Sequence, residues 1–187
     1  MKERRTARKS ASLAGQLLLA HPALRDPNFR RTVVLLSVHN ADGAMGVVLN
    51  RPLDQKLGDL NSAFALGPLA GVPVYAGGPV EPQQLVIVSW EWLKEDSAFQ
   101  LHFGIEPDKA AELVGSPGVT LRAFLGYAGW SQGQLENEMK HDTWMATTVE
   151  GEILGQADGI GLWRQLLVAL DPELRLLAEE PDDPTVN

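Results

Sequence analysis

The stretch Arg122 to Lys140, RAFLGYAGWSQGQLENEMK, decides how this chain is read. An apolar run, Ala123-Phe124-Leu125, leads into Gly126-Tyr127-Ala128-Gly129-Trp130, then Ser131 between Gly129 and Gly133, then a helix-like segment. Strand, G-x-S-x-G, helix is the outline of a serine-hydrolase nucleophile elbow, which needs an acid and then a histidine downstream. The histidines are His21, His39, His102 and His141, so only His141 follows Ser131. It would stand about 15 Å along the helix that begins at the elbow, taking the ordinary helical rise. No histidine follows Asp142 or Asp158, so the hydrolase order is not met.

The same letters spell a helix start. Ser131 and Gln134 form S-x-x-Q, a capping box in which the serine oxygen takes one orphan amide and the glutamine reaches back to another. Leu135 and Met139 then share a buried face, and Glu136 with Lys140 makes an i,i+4 pair on the wet face. On this reading Ser131→Ala costs about 1 kcal/mol of stability, and no residue is assigned as catalytic.

Upstream, Gln16–Ala20 reads as a short buried strand and Thr32–Val38 as a central one, rich in β-branched residues. Between them Asp26-Pro27-Asn28-Phe29 is a one-turn helix signal. His39 to Gly43 reads as a turn, with Asp42-Gly43 supplying positive-φ chemistry, and Met45–Leu49 as the return strand. Asn50-Arg51-Pro52 stops that strand. Leu57–Phe64 has helical spacing, Gly67–Pro73 reads as loose and exposed, and Val74–Gly78 and Gln84–Trp90 read as strands. Phe99 to Ile105 alternates as a half-buried strand, and Pro107–Val114 is a helix closed by Gly115. Val119–Tyr127 is the strand feeding the opening stretch. After a strand at Trp144–Val149, Asp158 caps a helix with Ile160, Trp163, Leu167 and Leu170 on one face. Strands early and scattered helices later predict an α+β single domain with a mostly antiparallel sheet.

Its 187 residues suit one domain and contain no cysteine, which excludes disulfides and a cysteine nucleophile. No apolar run approaches the ~18 residues that span a bilayer. Net charge is −8. Lys2, Arg4, Arg5, Arg8 and Lys9 against Glu3 give the first ten residues +4, which leaves −12 for the rest. Residues 1–12 read as a basic disordered arm, 13–178 as the folded domain and 179–187 as an acidic flexible tail. An acidic body repels phosphate, so nucleic acid is expected only weakly, through the arm.

Metal sites are not expected. His39 with Asp42, His21 with Asp26, and His141-Asp142 each lack a third ligand, and their residues are better used on local backbone. Gly77-Gly78-Pro79 lacks the phosphate-loop pattern, and Asp158 would compete with an anion at the helix it caps. Glu136 and Glu138 point to different helix faces, while Gln134 and Glu138, four apart, share one. With Tyr127 and Trp130 these two would line a pocket or form a buried polar network.

Several long segments then carry a family pattern. They are Leu24 to Val34, His39-Asn40 with Gly43 to Pro52, Gly77-Gly78-Pro79-Val80, and Gly126 to Trp130 with Gly133 to Glu138; Trp144 and Trp163-Arg164 continue it. The chain resembles the AlgH/YqgE family of small bacterial proteins from about Leu13 to Leu170. The resemblance implies an α+β domain whose bifurcated sheet wraps into a pseudo-barrel with flanking helices. It also implies a family called a transcriptional regulator of alginate synthesis by association, with no catalytic residues to carry over. The chain departs from the pattern in its basic arm, its compressed Phe99–Ala110 region and its acidic end.

These readings together describe a cytoplasmic binding or regulatory module, with no cofactor, no metal and no membrane. Its partner is a small ligand or a protein, held by His39, Asn50, Arg51, Gly77, Gly78, Tyr127, Trp130, Gln134 and Glu138. An enzyme using the same surface, with Glu138 or His39 as acid or base, is the second reading. The third is transcription-linked regulation without a recognisable DNA-binding helix.

Overall fold

The strand Val119–Ser131 serves two halves of one sheet, and its partners set the architecture. The computed structural model describes residues 11–96, 98–150, 153–156 and 158–180; the first ten residues of the basic arm and residues 181–187 of the acidic tail lie outside the described residues. In chain order come β1 (Leu17–Ala20), β2 (Val33–Asn40), β3 (Gly43–Val48), β4 (Pro52–Lys56) and the single turn α1 (Leu57–Leu60). β5 (Pro73–Ala76), β6 (Val80–Leu93) and β7 (Ala98–Phe103) lead to α2 (Pro107–Leu113) and β8 (Val119–Ser131). α3 (Gln134–Lys140), β9 (Trp144–Thr147), α4 (Ile153–Gln156), α5 (Gly159–Leu170) and α6 (Arg175–Glu179) follow.

The first half of β8 lies between β5, to which it is parallel (Tyr75 beside Phe124), and β6, to which it is antiparallel (Val88 beside Arg122). Its second half pairs antiparallel with β3, setting Ala44 beside Trp130. One half-sheet is therefore β4-β5-β8-β6-β7 and the other β8-β3-β2-β1-β9. Together they make a curled mixed sheet, a half-barrel flanked by helices, in a single α+β domain. The switch between halves falls at Gly126, whose φ is +71° and where a Cβ would run into the Gly78 carbonyl oxygen. Gly77 stitches both halves: its N–H donates to the Leu125 carbonyl and its carbonyl accepts from the Val48 N–H, each at 2.8 Å. Side chains would hold these backbones apart, so the glycines at this crossing are a packing requirement.

β1 is buried on both faces, which explains its unbroken apolar run. Leu17 and Leu19 enter a core closed by α5, where Trp163 is fully buried and donates its indole N–H to the Ala20 carbonyl at 2.8 Å. Leu18 and Ala20 enter a second core with Trp130, Trp144 and Leu135 of α3. α1 and α2 cover the other face of β5, β8 and β6 with Leu57, Val74, Ile87, Ala110 and Ala123.

Several sequence expectations are corrected here. β8 does not end at Tyr127 but runs through Ser131, and Gly133, in the left-handed region, is the residue before α3. Gln134 does reach back to the Ser131 N–H at 3.0 Å, but Ser131 Oγ donates to that same oxygen at 3.2 Å and caps no helix amide. Only half of the capping box forms. On α5 the buried stripe is Leu162, Trp163, Leu166 and Leu167, while Ile160 and Leu170 are 39% and 40% exposed, because the helix lays a different face on the sheet. Leu69 and Val72, expected in an exposed segment, are buried in the third core. The hairpin turn shrinks to Ala41-Asp42 because β2 runs on to Asn40 and β3 starts at Gly43. Pro52 opens β4, an exposed strand at the end of the sheet, where its missing N–H costs little. Asp158 caps α5 as expected, accepting the Gly159 N–H at 2.8 Å.

Candidate functional site

The opening stretch builds a closed polar knot at the β8–α3–β9 joint. Helical spacing puts Gln134 and Glu138 one turn apart, and Gln134 Nε2 donates to Glu138 Oε1 at 2.9 Å. Glu138 Oε2 accepts both indole N–H groups, from Trp130 at 2.9 Å and Trp144 at 2.8 Å. The two indoles meet edge to face with centroids 5.7 Å apart, and Phe29 stacks on Trp130. A carboxylate accepting three donors inside an aromatic cage organises a joint. It is a polar network at the surface of the joint, with Gln134 exposed and Glu138 half-buried, and both Glu138 oxygens are committed to protein groups.

His39 stands nearby, three strands being in register through His39, Ala44 and Trp130. Its Nδ1 accepts the Leu13 N–H at 2.9 Å, so the ring proton sits on Nε2, which donates to Glu136 Oε1 at 2.9 Å. Glu136 therefore serves His39, where a pair with Lys140 was expected. A hydrogen bond from its own backbone amide, then the one from His39, holds the Glu136 carboxyl below its usual range. Ser12 Oγ donates to the His39 carbonyl at 2.8 Å, so His39 clasps the start of the domain.

Asn50 and Arg51 lie in another place. Buried Asn50 accepts the Val33 N–H at 2.8 Å and donates to the carbonyls of Arg31 at 2.9 Å and Gly159 at 3.0 Å. Arg51 donates to the Pro27 carbonyl at 3.0 Å, and burial followed by the neighbouring Arg30 lowers its pKa. Gly77, Gly78 and Tyr127 form the backbone crossing already described. The nine residues singled out in the sequence thus fall into three groups: the knot with its His39 clasp, the Asn50-Arg51 pair on backbone carbonyls, and the crossing.

An open concavity lies elsewhere. Strand alternation puts Trp90 and Trp92 of β6 on the inner face, and pairing sets Thr120 beside Trp90 and Phe99 beside Trp92. With Lys94, Pro117, Gly118, Val119, Leu154 and Gly155 these enclose a cleft of about 690 Å³. That is within the usual size for small-molecule sites. One rung deeper, in register with Val88, lies Arg122, only 7% exposed. Its guanidinium sits 4.5 Å from the Tyr75 ring centroid and 5.1 Å from that of Trp90. It donates to the carbonyls of Leu49 at 3.2 Å and Leu154 at 3.1 Å. Tyr75 in turn donates its hydroxyl to Asp158 Oδ2 at 2.7 Å; burial and then that bond push its pKa up to about 12.

Residues 17–175 match the family model described as AlgH-like. The chain belongs to the AlgH-like family. A UPF0301 protein of Streptomyces avermitilis is 38% identical, covering 95% of this chain and 96% of its own length. A UPF0301 protein of Magnetococcus marinus is 37% identical, covering 89% and 94%. The solution structure of the AlgH protein from Pseudomonas aeruginosa is similar with a TM-score of 0.64 at 27% identity, covering 97% of this chain and 98% of that one. A Corynebacterium diphtheriae crystal structure shares the fold with a TM-score of 0.67 at 22% identity, covering 94% and 95%. The family read from the motif segments is therefore correct.

In this AlgH-like chain no group of three or more His, Cys, Asp or Glu side chains among the described residues is placed to hold a metal ion. Among the described residues no helix is long and apolar enough to cross a membrane, and none of the six α-helices carries more than one lysine or arginine. The aromatic cleft was missed by sequence reasoning. Its signals were Trp90-Glu91-Trp92, two aromatics on one strand face, and Arg122 inside an otherwise apolar strand.

Proposed function

We propose that this AlgH-like protein is a cytoplasmic binding module that takes a small ligand in the cleft between Trp90, Trp92, Phe99 and the Pro117–Thr120 segment. One observation carries the reading: a cleft of about 690 Å³ with three aromatic side chains in its lining. Concave, mostly apolar surface of that size with few polar groups is the usual form of a ligand site. The motif residues act as its frame. Glu138 holds Trp130 and Trp144, Asn50 ties the end of β3 to α5, Arg51 ties it to the β1–β2 connection, and the glycines keep the two half-sheets together. Their polar groups are turned onto protein partners, which favours binding over acid–base chemistry by His39 or Glu138.

A regulatory role has a physical route in this reading. The cleft wall includes Leu154 and Gly155 of α4, just ahead of Asp158, so an occupant bears on the segment leading into α5. Transcription-linked regulation would then run through ligand or protein contacts, because none of the α-helices among the described residues carries more than one lysine or arginine.

The test is fluorescence titration with N-phenyl-1-naphthylamine, a neutral apolar probe. Saturable one-to-one binding that Trp92→Ala weakens about tenfold supports the cleft, since truncating an aromatic anchor costs more than ~1 kcal/mol. Binding unaffected by Trp92→Ala, or no saturable binding, removes it.

A further inference from the structure

We infer that the cleft selects a planar ligand bearing an anionic group, a flat aromatic carboxylate, sulfonate or phosphate, through the buried charge of Arg122. The inference rests on the proposal that the cleft is the ligand site.

The planar part follows from the walls. Trp92 and Phe99 are directly paired across β6 and β7, Trp90 follows one rung deeper, and Pro117-Gly118 forms a wall without polar side chains. Aromatic faces beside such a wall favour a flat ring over a bulky aliphatic group.

The anionic part follows from Arg122. An arginine stays protonated even when buried, and burying a charge is costly unless it is paired. Among the described residues no carboxylate forms an ion pair with Arg122; its partners are two carbonyl oxygens and the faces of Tyr75 and Trp90. The nearest compensation comes second-hand, from Asp158 through the Tyr75 hydroxyl. Trp90 and Leu154, which touch the guanidinium, also line the cleft, so the charge lies directly behind its inner end. Between low-dielectric walls a charge in that position acts over a longer range than it would in water. Thr120 and the backbone of Gly118 and Gly155 add polar groups to the lining. Lys94 also lines the cleft, and Glu91, whose carboxylate lies near Gly118, opposes the positive potential. The frame therefore draws the anion inward and leaves the ring between the aromatics.

The experiment compares two probes with one ring system, 8-anilinonaphthalene-1-sulfonate and neutral N-phenyl-1-naphthylamine, on the full chain. The measured quantity is the ratio of their dissociation constants. Arg122→Met should shift that ratio about tenfold against the sulfonate, the change that 1.4 kcal/mol represents. Arg122→Lys should shift it less than about threefold on the same scale. Neutral-probe affinity reports on the cleft walls, and any change there common to both probes cancels in the ratio. A ratio unmoved by Arg122→Met while the neutral probe still binds overturns the charge selection and leaves the binding module standing. If the wild type binds neither probe, or Trp92→Ala leaves neutral binding untouched, both proposals fall. Should Arg122→Met not fold, the wild type decides by salt. Selection by a buried charge survives about 1 M sodium chloride, where the screening length is only about 3 Å, whereas selection by Lys94 does not. A preference abolished by salt overturns Arg122 as its source.

Discussion

At the scale of single residues, the stack of Arg122, Tyr75 and Asp158 is where the fold handles a charge it cannot expose. Tyr75 is kept neutral there, with a pKa pushed up to about 12, first by burial and then by its bond to Asp158. A raised folded-state pKa means that the native protein holds the proton longer than the unfolded chain does. That stability is whole below about pH 10 and is lost as pH rises from 10 towards 12. The chain has two tyrosines, so Tyr127→Phe leaves one reporter. In that variant the tyrosinate absorbance near 295 nm should rise only around pH 12; a rise near pH 10 in folded protein contradicts the buried hydrogen bond. Glu136 works in the opposite direction. Its depressed pKa stabilises the fold above the ordinary glutamate value of about 4.3, and that stability disappears as pH falls through the folded value. Because Glu136 is part-exposed, Glu136→Gln should cost only about 0.2–1 kcal/mol at pH 7 by urea denaturation, and the gap should close as pH falls below the ordinary glutamate range. Ser131, exposed and capping nothing, should lose less than about 0.5 kcal/mol on change to alanine. A loss nearer the 1 kcal/mol of a true N-cap would restore the capping box.

At the scale of elements, β8 is decisive, and its glycines separate two effects that a sequence presents as one. Gly126 and Gly115 both have positive φ, +71° and +79°. A side chain at Gly115 meets open space, whereas one at Gly126 meets the Gly78 and Val80 carbonyl oxygens. Gly115→Ala should therefore cost about 1–2 kcal/mol for the left-handed backbone alone. Gly126→Ala should cost clearly more, about 3 kcal/mol or beyond, since the two half-sheets must separate at their junction. Equal losses in denaturation experiments would mean that the crossing tolerates a methyl group and is not packed as described. The same contrast explains what was legible beforehand. Strand runs such as Leu17–Ala20 and Val33–Val38, the Asp158 cap and the α+β class follow from local pattern. The end of β8 does not, because glycines around Tyr127 and Gly129 resemble a turn when the backbone crossing that requires Gly126 is out of sight. The α5 stripe slipped for a related reason. Ile160 and Leu170 fit the helical period, but which face meets β1 is set by the sheet. The cleft was less legible still, since β6, β7, β8 and α4 supply it from Trp90 to Gly155, and no spacing rule announces that they meet.

For the whole molecule, the question is whether the three cores on the two faces of one curled sheet behave as one cooperative unit. β1 gives a direct test, because adjacent leucines, both fully buried, enter different cores. Leu19 packs with Trp163 and the α5 side, and Leu18 with Trp130, Trp144 and the α3 side. Truncating either to alanine should cost about 2–5 kcal/mol. The two halves share β8, are stitched through Gly77, and have β1 between β2 and β9, so neither core can open without exposing backbone pairs of the other. Both variants should therefore unfold in a single transition, with tryptophan fluorescence and far-ultraviolet dichroism coincident. In Leu18→Ala, a fluorescence transition that precedes loss of strand signal would show the α3 side melting alone. Coincidence would instead give the cleft its mechanical footing. Its walls belong to the same cooperative unit as the Glu138 knot, so ligand bound between Trp90 and Thr120 raises the stability of the entire fold. That gain should follow ligand concentration logarithmically, with no local plateau.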